Sequence, residues 1–157
     1  MECAKYDAFS VAARIVNEQI SKGKPISNLV LQKVLYYAEA AFLVDDQELF
    51  YDDISAWRYG PVVESVYHYF KIYLDRKITA EVPEEIIEST ISCDDWEKIK
   101  KVVKSQIKFE AFDLVRRTHE ERPWLESVNN NKEYISKKTM QEYFLQNRGR
   151  IYGENSD

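Results

Sequence analysis

The histidines and cysteines are the side chains here best suited to nucleophilic or metal chemistry, and their spacing supports neither. Neither His68 nor His119 has a Cys, Ser or His at a spacing that suggests an activated pair. A zinc site built from Cys3, Cys93, His68 and His119 would need four isolated ligands to converge. His119 reads as a hydrogen-bonded packing residue beside Trp124, with a role at a binding surface as the alternative. The adjacent acids Glu84-Glu85 and Asp94-Asp95 do not face each other on a helix, so they make no acid/base pair. Gly60-Pro61 has no phosphate-cradling loop around it and reads as a turn. The expectation is a protein without catalytic residues, metal or cofactor.

Contact chemistry is better represented. The chain carries eleven Tyr, seven Phe and three Trp, the material of cores and of protein interfaces. Tyr36, Tyr37, Trp57, Tyr59 and Tyr69 are the aromatic residues of interest, although Tyr36 and Trp57 suit core packing equally. Lys33 is a cation on an otherwise apolar helix, so it must snorkel outward or pair, for instance with Glu39, Asp53 or Glu64. The lysines from Lys98 to Lys108, followed by Arg116 and Arg117, form the sizeable basic cluster, alternating with a buried stripe as a solvated helix face does. A net charge of −5 opposes unspecific adhesion to nucleic acid or anionic membrane.

The element that has to position these groups runs from Pro25 to Asp45. Leu31, Val34, Leu35, Ala38 and Phe42 follow one helical face, and Val30, Tyr37, Ala41 and Val44 make a second stripe beside it. A helix apolar nearly all round is surrounded by other elements, so this one is expected at the centre, capped by Ser27 or Asn28. Residues 7–21 predict an amphipathic helix ahead of it, ended at Gly23. Residues 49–51 and 54–59 predict a small hairpin or two irregular strands. Gly60-Pro61 then opens a third helix over 62–74, with Trp57 largely buried beside the turn. A variable loop over 75–92, a helix from Ser92 through Ile107, another over 110–120 with Phe112 inward, and a last short helix capped by Ser136 follow. The second of these stops before Pro123.

The 157 residues fit one mainly α-helical domain, 1–157, of five or six helices with a minor β element and a flexible tail over 147–157. Two widely separated cysteines make no disulfide framework, and no export signal is visible at the first residues, so a reduced cytoplasmic setting is expected.

Leu31-Gln-Lys-Val-Leu-Tyr-Tyr37, Ala56-Trp-Arg-Tyr-Gly-Pro-Val-Val63, Thr118-His119, Pro123-Trp124 and Ile135-Ser136, in this order and spacing, resemble the Panacea domain. This is the SocA-like antitoxin family often found on phages and mobile elements. The resemblance spans about 24–144 and implies a mostly helical module that binds and neutralises a toxin encoded beside it. On this reading the partner-binding candidates are Lys33, Tyr36, Tyr37, Trp57, Tyr59 and His119, while Gln32, Gly60, Pro61, Pro123 and Trp124 make up the structural motif. A small DNA-binding regulator using the lysine-rich helix, or an adaptor delivering its partner to a protease, are the alternatives.

Overall fold

A computed structural model describes residues 1–154 of the chain. In order it forms α1 (Ala8–Ser21), α2 (Asn28–Leu43), β1 (Ser55–Trp57), β2 (Gly60–Val62), α3 (Glu64–Phe70), α4 (Cys93–Gln106), α5 (Ala111–His119), α6 (Arg122–Asn129), α7 (Lys137–Gln146) and α8 (Arg148–Ile151). Single 3-10 turns lie at Lys71–Tyr73 and Glu84–Ile86. The mainly helical, single-domain expectation holds, with more helices than expected.

Asp7, Ser27, Ser92 and Ser136 start α1, α2, α4 and α7 in the same way. Each side chain accepts a hydrogen bond from the backbone N–H three residues on, satisfying a donor that has no partner inside the helix. The central helix is α2: every residue in it except Leu29 is buried. It packs against α1, α3, α4, α5, α7, α8 and β2, and a helix enclosed on that many sides has no polar face to spare.

The hairpin lies later than the sequence suggested. Leu49 and Phe50 are buried without forming a strand, and Gly60-Pro61 belongs to β2 instead of opening α3. The antiparallel register pairs Ser55 with Val62, Ala56 with Pro61 and Trp57 with Gly60, leaving Arg58-Tyr59 as the turn. Ala56 donates its N–H to the Glu133 carbonyl, away from β2. The Ala56–Pro61 pair is therefore a non-hydrogen-bonded one, and Pro61 withholds no ladder donor.

Three further differences have local causes. Pro123 ends one helix and also starts the next, because the first turn of α6 needs no N–H from it. Phe112 faces outward at 69% exposure, since α5 turns Leu114, Val115 and Thr118 to the core. The expected tail from 147 includes α8, whose Arg150 and Ile151 are buried and whose carbonyls at those positions accept from Gln106 Nε2. Residues 155–157 of that tail lie outside the described residues.

Candidate functional site

The polar residues of α2 explain how the hairpin is held. Gln32 Oε1 accepts from the Val63 N–H at 2.8 Å, and its Nε2 donates to Asn28 Oδ1 at 2.9 Å. Asn28 Nδ2 donates in turn to the Tyr67 carbonyl at 3.1 Å, linking α2 to α3. Lys33 neither snorkels nor pairs with Glu39, Asp53 or Glu64: its Nζ donates to the Pro61 carbonyl at 3.0 Å, and the side chain is fully buried. Burial without a counter-charge lowers its pKa from 10.5 to about 7.

Gly60 sits directly over this lysine with φ +105°. A Cβ there would lie 2.7 Å from Thr118 Oγ1 and 2.8 Å from Lys33 Cε, so the close approach of hairpin to α2 and α5 requires glycine. The opposite side of the turn is tied to α5 and α6. His119 Nε2 donates to the Arg58 carbonyl at 3.0 Å and its ring stacks on Trp124 at 4.0 Å, while Trp124 Nε1 donates to the Trp57 carbonyl at 2.8 Å. His119 is thus half-buried and held by both contacts. Partial burial lowers its pKa against the opposing effect of the Arg58 carbonyl, and the Lys33 charge adds to the lowering.

Tyr36 and Tyr37 are fully buried, so with Lys33 they do not form a contact surface in the folded chain. Their hydroxyls donate to Glu121 Oε1 and Oε2 at 3.0 and 2.8 Å, and Arg150 Nε donates to the same carboxylate at 2.7 Å. Glu121, also fully buried, therefore joins α2 to α8. Burial raises its pKa despite Arg150 and the two phenols.

What the hairpin presents outward is a groove of about 500 Å³ between α2, the Arg58-Tyr59 turn, α3 and the segment after it. Its apolar walls are Leu29, Trp57, Tyr59, Val62, Tyr67 and Leu74. Trp57 is half-buried, not largely buried as expected, and meets the edge of Tyr67 at 5.0 Å. Tyr59 is 51% exposed, and Phe112 approaches it edge-on at 6.2 Å, extending the apolar surface towards α5. Asn28 and Gln32 also line the groove, and the contacts described above engage their amides. The charges at the rim are Arg58, Lys71 and Asp75, none of which has an ion-pair partner among the described residues.

Leu74, expected on the apolar face of a third helix over 62–74, lies instead beyond the end of α3. It is 73% exposed and has φ +55° and ψ −125°, a backbone conformation that a branched apolar residue rarely adopts. Such strain at a groove rim points to use. Leu74→Gly is expected to stabilise the fold by about 1 kcal/mol, the relief of strain exceeding the added chain entropy. Chemical denaturation of the two proteins measures it.

Among the described residues no group of three or more His, Cys, Asp or Glu could hold a metal ion, and Cys3 and Cys93 are free and exposed. Among the described residues no helix is long and apolar enough to cross a membrane.

The family described as Antitoxin SocA-like, Panacea domain, matches residues 31–125. Antitoxin SocA of Caulobacter vibrioides is 33% identical to the chain over 122 residues, covering 72% of this chain and 65% of the relative. The chain thus aligns with somewhat less than two-thirds of that protein's length. No solved structure matches the chain. The family match takes in the hairpin, α3 and every groove residue except Asn28 and Leu29.

Proposed function

This chain belongs to the antitoxin SocA-like, Panacea domain family, and from that membership we propose that it neutralises a cognate protein toxin by binding it directly and without catalysis. The observation that carries the reading is the groove beside the hairpin. Exposed Tyr59 and Leu74 and half-buried Trp57 form one concave apolar face on an acidic chain, the kind of surface that takes an anchoring side chain from a partner. Trp57 and Tyr59 make the contact, while Lys33, Tyr36, Tyr37 and His119 hold the face in place from behind.

The lysine-rich helix favours this reading over a DNA-binding one, because three of the four lysines of α4 are occupied within the fold. Lys98 pairs with Asp45 and lies over the Phe42 ring, Lys100 pairs with Glu97 at 2.9 Å, and Lys101 lies over Tyr152. Such a face offers few free charges to phosphates.

Co-expression with the adjacent toxin gene, followed by purification through a tag on the toxin, tests the proposal. A complex should co-purify. Trp57→Ala should cost less stability than the about 3–5 kcal/mol of a fully buried aromatic, yet weaken the complex by more than about 2 kcal/mol as an interface anchor. A variant that unfolds more readily but still binds with parental affinity would place the interface elsewhere.

A further inference from the structure

Resting on that reading, we propose that the groove takes a short segment of its partner in which an apolar side chain stands next to a carboxylate. The apolar part follows from the walls: Leu29, Trp57, Val62, Tyr67 and Leu74 offer hydrocarbon and ring faces. The polar atoms behind them are engaged, Gln32 with Val63 and Asn28, and Asn28 with Tyr67. A polar side chain entering the groove would lose water and gain few hydrogen bonds, whereas an aliphatic or aromatic one loses nothing.

The carboxylate follows from the rim. Arg58 and Lys71 are exposed and have no ion-pair partner among the described residues, although the chain as a whole is acidic. The Arg58 guanidinium lies over the Tyr59 ring at 5.5 Å, which holds it beside the groove. Asp75, also at the rim and unpaired, is one acid against two cations, so the rim as a whole favours a carboxylate. Leu74 contributes the remaining argument. Its strained backbone projects an exposed leucine at the rim, and an apolar contact kept against its own conformational preference is a contact that a partner covers.

Random twelve-residue peptides displayed on phage and panned on the immobilised full chain test this without any toxin. The selected peptides are expected to carry Asp or Glu within about three positions of Leu, Ile, Phe or Trp. One such peptide, synthesised, should bind at least about tenfold more weakly to the double variant Arg58→Glu, Lys71→Glu and to Leu74→Gly. Exchange of its acid for lysine should restore binding to the charge-reversed protein. Both variants should keep the parental fold by circular dichroism, since the residues are exposed, and Leu74→Gly should bind worse while melting higher.

Selection of neutral or basic peptides, no selection at all, or binding indifferent to the charge reversal would overturn the inference. The outcome separates it from the antitoxin reading. If acidic-apolar peptides bind the groove but toxin neutralisation survives both variants, the groove chemistry stands and the neutralising face is another one. If neutralisation is lost while peptides show no acidic preference, the antitoxin reading stands and this inference fails.

Discussion

Replacement of Glu121 by alanine is expected to remove about 3–5 kcal/mol of stability, the range for taking one partner from a buried charge pair. The carboxylate accepts hydrogen bonds from Tyr36, Tyr37 and Arg150, all buried. Its loss leaves two phenols without an acceptor and a guanidinium whose other contacts are the Arg117 carbonyl at 3.0 Å and Glu120 at 3.6 Å. Domains of this size are stable by only about 5–15 kcal/mol, so the variant should be marginal. Glu121→Gln keeps acceptor capacity but not charge and should cost less, while Tyr36→Phe should cost only about 1 kcal/mol. Urea denaturation of the three variants gives the order. A Glu121→Ala protein as stable as the parent would show that the network does not hold α8 to the core.

Lys33→Met is expected to act in the opposite direction and to stabilise the protein at neutral pH. The ammonium is fully buried, bonded to one carbonyl, and its pKa falls from 10.5 to about 7. A shift of that size corresponds to a penalty on the order of 5 kcal/mol below the folded-state pKa. Methionine removes the penalty and loses one hydrogen bond, for a net gain on the order of 3 kcal/mol.

The sign of the pH dependence follows from linkage. Lys33 holds fewer protons folded than unfolded between about pH 7 and 10.5, so its unfavourable contribution is full below pH 7 and fades as pH rises to 10.5. Glu39 behaves inversely. It is buried, and Lys137 at 3.1 Å only partly offsets the desolvation that raises its pKa from 4.5 to about 7. Stability linked to Glu39 therefore falls as pH rises from 4.5 through 7, with Glu121 acting in the same direction. Lys33 and Glu39 together place a stability minimum near neutrality. In Lys33→Met the recovery at alkaline pH from this lysine should disappear, and denaturation at pH 7 and at pH 9.5 compares the two proteins.

The sequence was most informative where periodicity is strong. The stripes of α2 announce a helix enclosed on all sides, and the burial of Tyr36 and Tyr37 is contained in that statement, since an enclosed helix has no outer face on which to display them. Their acceptor was not legible because Glu121 lies 84 and 85 residues away and no local pattern connects them. Lys33 had plausible acidic partners in the sequence, yet the fold brings a backbone carbonyl to it instead. Gly60-Pro61 was visible as punctuation, but a Gly-Pro pair suits a helix start as well as a strand. Only the register with Ala56 and the approach to Thr118 decide between them. The groove draws its walls from α2, the hairpin, α3 and the segment beyond it, and Leu74 stands out only through its backbone angles.

The proposed function requires one toxin molecule to occupy this face of each molecule of the protein. It is tested most directly by raising the level of the protein against a fixed level of the toxin in growing cells, with both proteins quantified. Growth should recover as the two approach equal amounts, because each bound molecule is used up by one partner, and Leu74→Gly should shift the recovery to a large excess. Full recovery at a small fraction of the toxin level, unchanged in Leu74→Gly, would contradict it and indicate catalytic action or delivery to a protease.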